Sequence, residues 1–168
     1  ATFDLFTEDK KFNVESFQAK TEELLARQES LVIIINTPAH NPTGYSLTLE
    51  DWDWVIRVLK EEARCGKAIA LVIDVAYIDF AGDEDEYRRF LPKISQLPAN
   101  VISIVAYSLS KTFTLYGTRC GAMICVAKTR EIAEEFKLVC EYSSRGSWSN
   151  SAKVAQVILS QIYGDPHL

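Results

Sequence analysis

The chain has 168 residues, 48 % of them hydrophobic, and its 18 basic and 23 acidic side chains leave a net charge of −5. That composition suits one compact domain with a sizeable core, and the scattered Lys and Arg form no cationic stripe for nucleic acid or an anionic membrane surface. No apolar run approaches the roughly 20 residues that span a bilayer, and the opening ATFDLFTEDKK is no secretory signal, so neither nucleic acid nor membrane is expected as a partner.

Residues 13–29, NVESFQAKTEELLARQE, set Val14, Phe17, Leu24 and Leu25 at near-helical spacing among charges, which predicts an amphipathic helix. LVIIIN, 31–36, is a continuous β-branched run of the kind buried on both faces of a sheet, and it stops at TPAHNPTG, whose Pro and Gly require a loop. Thr48 or Ser46 is placed to cap a helix in LEDWDWVIRVLKEEARCG, with Gly66 to end it. A second strand is predicted for AIALVIDVAY, 68–77. Between 79 and 100 the pattern weakens to an acidic turn, GDEDE, and a short helix in EYRRFLPKI. VISIVAY, 101–107, predicts a third strand and CGAMICVA a fourth; helices follow in TREIAEEFKLVCEYSSR and NSAKVAQVILSQIYG.

Helices alternating with continuous apolar strands define the α/β class, with a mainly parallel sheet and helices on both faces. In such sheets ligands bind beyond the carboxyl ends of the strands. The distinctive polar groups fall there: Asn41 after the first strand, Asp74 and Tyr77 at the end of the second, Ser108 and Lys111 after the third. The four cysteines, Cys65, Cys120, Cys125 and Cys140, form no CxxC pair and join no His cluster. They read as reduced thiols of a cytoplasmic protein with no metal site.

Taken singly, each polar group has an ordinary role. NPTG is a natural turn, Asp74 within an apolar run needs a partner that an ion pair would supply, and Tyr77 suits a core position with its hydroxyl satisfied. Lys111 suits solvent, Ser108 and Ser110 suit caps or turns, and Arg119 suits the surface. Together they are the parts needed to hold pyridoxal phosphate. That cofactor needs an amine for its aldehyde, a carboxylate for its pyridine nitrogen, a hydroxyl and an amide for its phenolate, and a hydroxyl with a guanidinium for its phosphate.

The order NPTG, then DVAY at 74–77, then SLSK at 108–111 with Arg119 eight residues beyond the lysine, resembles the fold type I aminotransferases, in particular the class I aspartate and aromatic group. The resemblance implies pyridoxal-phosphate-dependent transamination between an amino acid, dicarboxylic or aromatic, and a 2-oxo acid. Lys111 is then the Schiff-base lysine and proton shuttle. Asp74 pairs with the pyridinium nitrogen, Tyr77 and Asn41 reach the phenolate oxygen, and Ser108 with Arg119 binds phosphate. Ser110 matches the motif and also serves the turn; Gly121 matches a close-packing position. SSRGSWSN resembles a family loop that crosses a homodimer interface, in which Arg145 would read the substrate's distal carboxylate; a helix C-terminus gives the same arginine an ordinary role. Asn41 is carried over as a substrate contact too.

The chain starts without Met and stops just after a helical pattern, so it is expected to be a piece of something longer. Residues 1–168 correspond to one partial cofactor-binding large domain, with the N-terminal part of that domain and the C-terminal small domain of the family lying outside it. The fragment alone is expected to be inactive. Two other readings stay open: a carbon-sulfur β-lyase using the same cofactor, and a non-catalytic cofactor-binding regulatory module.

Overall fold

The computed structural model describes residues 1–164. Helix α1, Val14–Arg27, starts where the Asn13 side chain accepts the Ser16 N–H at 3.0 Å, and it buries Phe17, Thr21 and Leu25, four residues apart, on one face. Helix α2, Leu49–Glu62, opens with a capping box: Thr48 Oγ1 accepts the Asp51 N–H at 3.1 Å and Asp51 Oδ2 accepts the Thr48 N–H at 2.9 Å. Of the two capping residues considered, Thr48 is the one used. Trp52, Val55, Ile56 and Leu59 face inward from α2, and the Trp52 ring stacks on Phe90 at 4.7 Å. Beyond α2 a short 3₁₀ turn, Ala63–Cys65, intervenes before Gly66, whose φ of +79° closes the segment in the left-handed region.

Four strands form one sheet in the order β1 (Ser30–Asn36), β2 (Ala68–Asp74), β3 (Val101–Ser108), β4 (Gly121–Val126). The first three run parallel and β4 returns antiparallel to β3. Strand β2 ends at Asp74, three residues earlier than the sequence run implies, because Asp74 Oδ1 accepts the Ala76 N–H at 3.0 Å and turns the chain. The acidic stretch read as a turn is a short helix, α3 (Glu84–Arg88), capped by Asp83; the helix expected across EYRRFLPKI is divided between α3 and α4 (Leu91–Ile94). Helix α5 (Leu109–Thr112) is one turn, while α6 (Arg130–Ser147) and α7 (Lys153–Gly164) are the last elements of the described residues.

The fold is thus α/β, with a mostly parallel sheet flanked by helices. Its core gathers Leu31, Ile33 and Ile35 of β1 with Ile69, Leu71 and Ile73 of β2, against the inner faces of α1 and α2. The two faces of β1 differ, contrary to a strand buried on both: Val32 and Ile34 are 63 % and 66 % exposed. No described residue buries them, so the continuous apolar run alternates in burial.

Among the described residues no helix is long and apolar enough to cross a membrane, and no three His, Cys, Asp or Glu side chains gather to hold a metal ion. All four cysteines are free thiols.

Candidate functional site

Parallel strands in register bring their last residues to one rim. Asn36 pairs with Asp74, and Asp74 with Ala106, so one rung crosses the three strands. The Asn36 amide donates to the Asp74 backbone oxygen at 3.0 Å, and its carbonyl oxygen accepts the Asn41 N–H at 2.7 Å. This single side chain ties the NPTG loop to the end of β2. Thr37 is buried and does the same from the next position: its N–H donates to Asp74 O at 3.1 Å, while its Oγ1 accepts the Leu47 N–H at 3.0 Å. The peptide bonds preceding Pro38 and Pro42 are cis.

The third strand delivers Lys111. At the end of β3 the Ser108 hydroxyl accepts the Ser110 N–H at 3.2 Å, which caps α5, and the Leu109 N–H donates to Cys120 O at 3.1 Å. Lys111 emerges half-buried from this turn with its Nζ 5.3 Å from the centre of the Tyr77 ring and 5.0 Å from that of Tyr116. Arg119 lies on the Tyr116 ring as well, its Cζ 5.4 Å from the centre, and its Nη1 donates to Tyr116 O at 3.1 Å and to Ser110 Oγ at 3.4 Å. The arginine backbone is left-handed, φ +52° and ψ +54°, which L side chains seldom adopt and which places its guanidinium over the turn. Gly121 follows; a Cβ there would meet Tyr107 O at 2.5 Å, so only glycine lets β4 leave the turn beside β3.

Lys111 and Arg119 therefore both lie against the Tyr116 ring, and among the described residues neither is in an ion pair. Two cations brought to one tyrosine in this turn suit an anionic ligand. An amine, a guanidinium, the Ser108 and Ser110 hydroxyls and, at the end of the neighbouring strand, the Asp74 carboxylate are the group types that suit a phosphorylated aldehyde with a basic ring nitrogen.

Of the residues singled out in the sequence, Lys111 and Tyr77 meet, as do Arg119 and Ser110, while Asn41 joins Asp74 through Asn36. Arg145 stays outside this group: it lies near the end of α6, where its Nη1 donates to Ser149 Oγ at 2.8 Å. The sequence reading missed Asn36 and Tyr116. Asn36 had a signal, a lone amide ending a β-branched run. Tyr116, five residues past Lys111, had only its position in the same segment.

The chain is similar to the aspartate aminotransferase of Pseudomonas aeruginosa, at 29 % identity over 88 % of this chain and 35 % of that one. An aminotransferase structure from Anaerococcus prevotii superposes with a TM-score of 0.93 at 44 % identity, over 96 % of this chain and 40 % of that one. An aromatic-amino-acid aminotransferase of Burkholderia pseudomallei, covalently bound to pyridoxal phosphate, shares the fold at 21 % identity with a TM-score of 0.81, over 99 % of this chain and 40 % of that one. The chain spans about two-fifths or less of the length of each of these proteins. From residue 3 to residue 168 its sequence matches the aminotransferase class I and II family model, and the chain belongs to that family.

Proposed function

We propose that residues 1–168 are one partial large domain of a pyridoxal-phosphate-dependent aminotransferase that moves an amino group between an amino acid, dicarboxylic or aromatic, and a 2-oxo acid. The observation that carries this reading is that Lys111 and Arg119 both lie against the Tyr116 ring, just past β3, the strand beside the one that Asp74 ends. When bound, the cofactor supplies an aldehyde for amine exchange and a protonated ring that draws electrons from the substrate's α-carbon.

The chain's own residues do the rest. Lys111 Nζ would hold the cofactor through its aldehyde carbon, with loss of water, and would move the proton at the substrate's α-carbon. Asp74 would accept the hydrogen bond of the ring N–H and so keep that nitrogen charged. The Tyr77 hydroxyl and the Asn41 amide would donate to the phenolate oxygen, and Ser108, Ser110 and Arg119 would hold the phosphate. Arg145, together with Asn41, belongs to substrate binding in a homodimer, where the α6 end meets a second copy. Further walls of the cleft come from parts of a longer protein, in keeping with the two-fifths of the relatives' length that this chain spans. Alone it lacks what excludes water and orients substrate, and transaminates negligibly. Free thiols at all four cysteines fit a cytoplasmic setting.

The test is to mix the full-length protein with pyridoxal phosphate, reduce with borohydride and map the labelled peptide. Label is expected on Lys111 and absent from Lys111→Ala; label spread over surface lysines overturns the reading. With an amino acid and 2-oxoglutarate a new amino acid is expected, whereas pyruvate and ammonia would assign the site to a β-lyase.

A further inference from the structure

Helix α5 is a single turn, too short to persist without tertiary tethers, so whatever anchors it sets where the Lys111 amine stands. One anchor lies outside the cofactor-binding residues named above. Asp79, in the 3₁₀ turn Ile78–Phe80 two residues past Tyr77, is four-fifths buried at its side chain. Its Oδ2 accepts two hydroxyl donors, Thr112 Oγ1 at 2.5 Å and Tyr107 OH at 3.0 Å, and its Oδ1 faces Arg88 Nη2 at 3.2 Å.

The two hydroxyls bracket the lysine in sequence. Tyr107 precedes the Ser108 cap and Thr112 follows Lys111 directly. One carboxylate oxygen therefore joins the β2 segment that carries Asp74 and Tyr77 to both ends of the segment that carries Lys111. Hydrogen bonds to an ionised acceptor are short and stronger than neutral ones, and Arg88 offsets the cost of burying the charge. Burial chiefly, then the bond to Asp79, pushes the Tyr107 phenol above its usual range although Thr112 acts the other way, so Tyr107 remains a proton donor at neutral pH.

We propose that Asp79 is a positioning residue: through Thr112 and Tyr107 it fixes the Lys111 amine against Tyr77, without touching cofactor or substrate. The proposal rests on the reading of Lys111 given above. Its consequence is specific, since a misplacement of about 1 Å in a reacting group costs on the order of a hundredfold in rate, while non-covalent recognition of the same ligand by Arg119 and Asp74 is left in place.

Two measurements on the full-length apoprotein separate the steps. One is the rate at which pyridoxal phosphate attaches to Lys111, read by borohydride trapping and peptide mapping. The other is the affinity for pyridoxamine phosphate, which fills the same cleft but has no aldehyde to bond. Thr112→Val, which keeps the side-chain shape, and Asp79→Asn should each slow attachment about tenfold or more while changing pyridoxamine phosphate affinity less than about threefold. The double variant should be no slower than the worse single one, because both act on the charge-assisted bond between Thr112 and Asp79. Attachment at the native rate in Thr112→Val overturns the proposal, as does a parallel loss of both measurements, which would make Asp79 a general structural support. Failure of the native protein to attach the cofactor at Lys111 overturns the functional reading and this proposal with it.

Discussion

The sheet has two unlike halves. Strands β1 to β3 with α1 and α2 bury nearly everything apolar that they turn inward: Leu59, Leu71 and Ile73 are wholly inaccessible and Val55 with them. Strand β4 and α6 do not. Met123 and Ile124 are 61 % and 53 % exposed, α6 buries no residue at all, and its Leu138, Val139 and Tyr142 stand in the open. Both halves have amphipathic sequence, so the difference is in partners and not in patterning. The first half supplies its own inner layer, helix on sheet. The second presents apolar residues of α6 that no described residue buries.

The largest expected effect sharpens that contrast. Leu71→Ala empties space at the centre of the first half and should destabilise the fold by about 3 kcal/mol, read as a lower urea midpoint with an unchanged slope. Leu138→Ala on α6 should stay within about 0.5 kcal/mol in the 168-residue chain. Equal costs at the two positions would show that α6 is packed after all, and the comparison would fall. Next in size comes the junction between the halves. Gly121→Ala drives a Cβ towards Tyr107 O, a backbone atom that cannot swing aside, and should cost about 1–3 kcal/mol. That substitution should also loosen the turn holding Lys111 and Arg119, since Leu109 N–H to Cys120 O is the bond beside it. Unaltered stability in Gly121→Ala would mean that β4 shifts freely against β3.

Much of this was legible in the residues. Apolar runs located all four strands to within a few positions, and the α2 cap was one of the two candidates, Thr48 and Ser46, that the sequence offered. Ordered motifs led to Lys111, Tyr77, Ser110 and Arg119, which the fold does bring into contact in pairs. Other features had no local signal. Whether LVIIIN has one covered face or two depends on which helices lie over it, and Val32 reads no differently from Ile33. The early end of β2 comes from one side-chain bond of Asp74, which an apolar run conceals. Asp79 was invisible for a related reason: a carboxylate two residues past a tyrosine is an ordinary turn residue until the fold sets Thr112 and Tyr107 against it.

The smallest effect lies in the well-packed half, and pH reveals it. Tyr45 OH donates to Asp51 Oδ2 at 2.8 Å, the oxygen that also accepts the Thr48 N–H in the α2 cap. Burial first, then the bond to Asp51 and its charge, push the Tyr45 phenol up to about 12 from its ordinary 10. A folded-state value above the unfolded one means that the neutral phenol stabilises fully below pH 10, and that this contribution is lost as the pH rises through 12. Tyr45→Phe should therefore lose roughly half a kcal/mol at neutral pH, the worth of one modest hydrogen bond, and show a shallower decline in urea midpoint over the alkaline window than the native chain. The decline should not vanish, because Tyr107 is raised too and continues to titrate. Parallel alkaline limbs for the two proteins would mean that Tyr45 ionises alike folded and unfolded, leaving the capping carboxylate without the phenol that the geometry gives it.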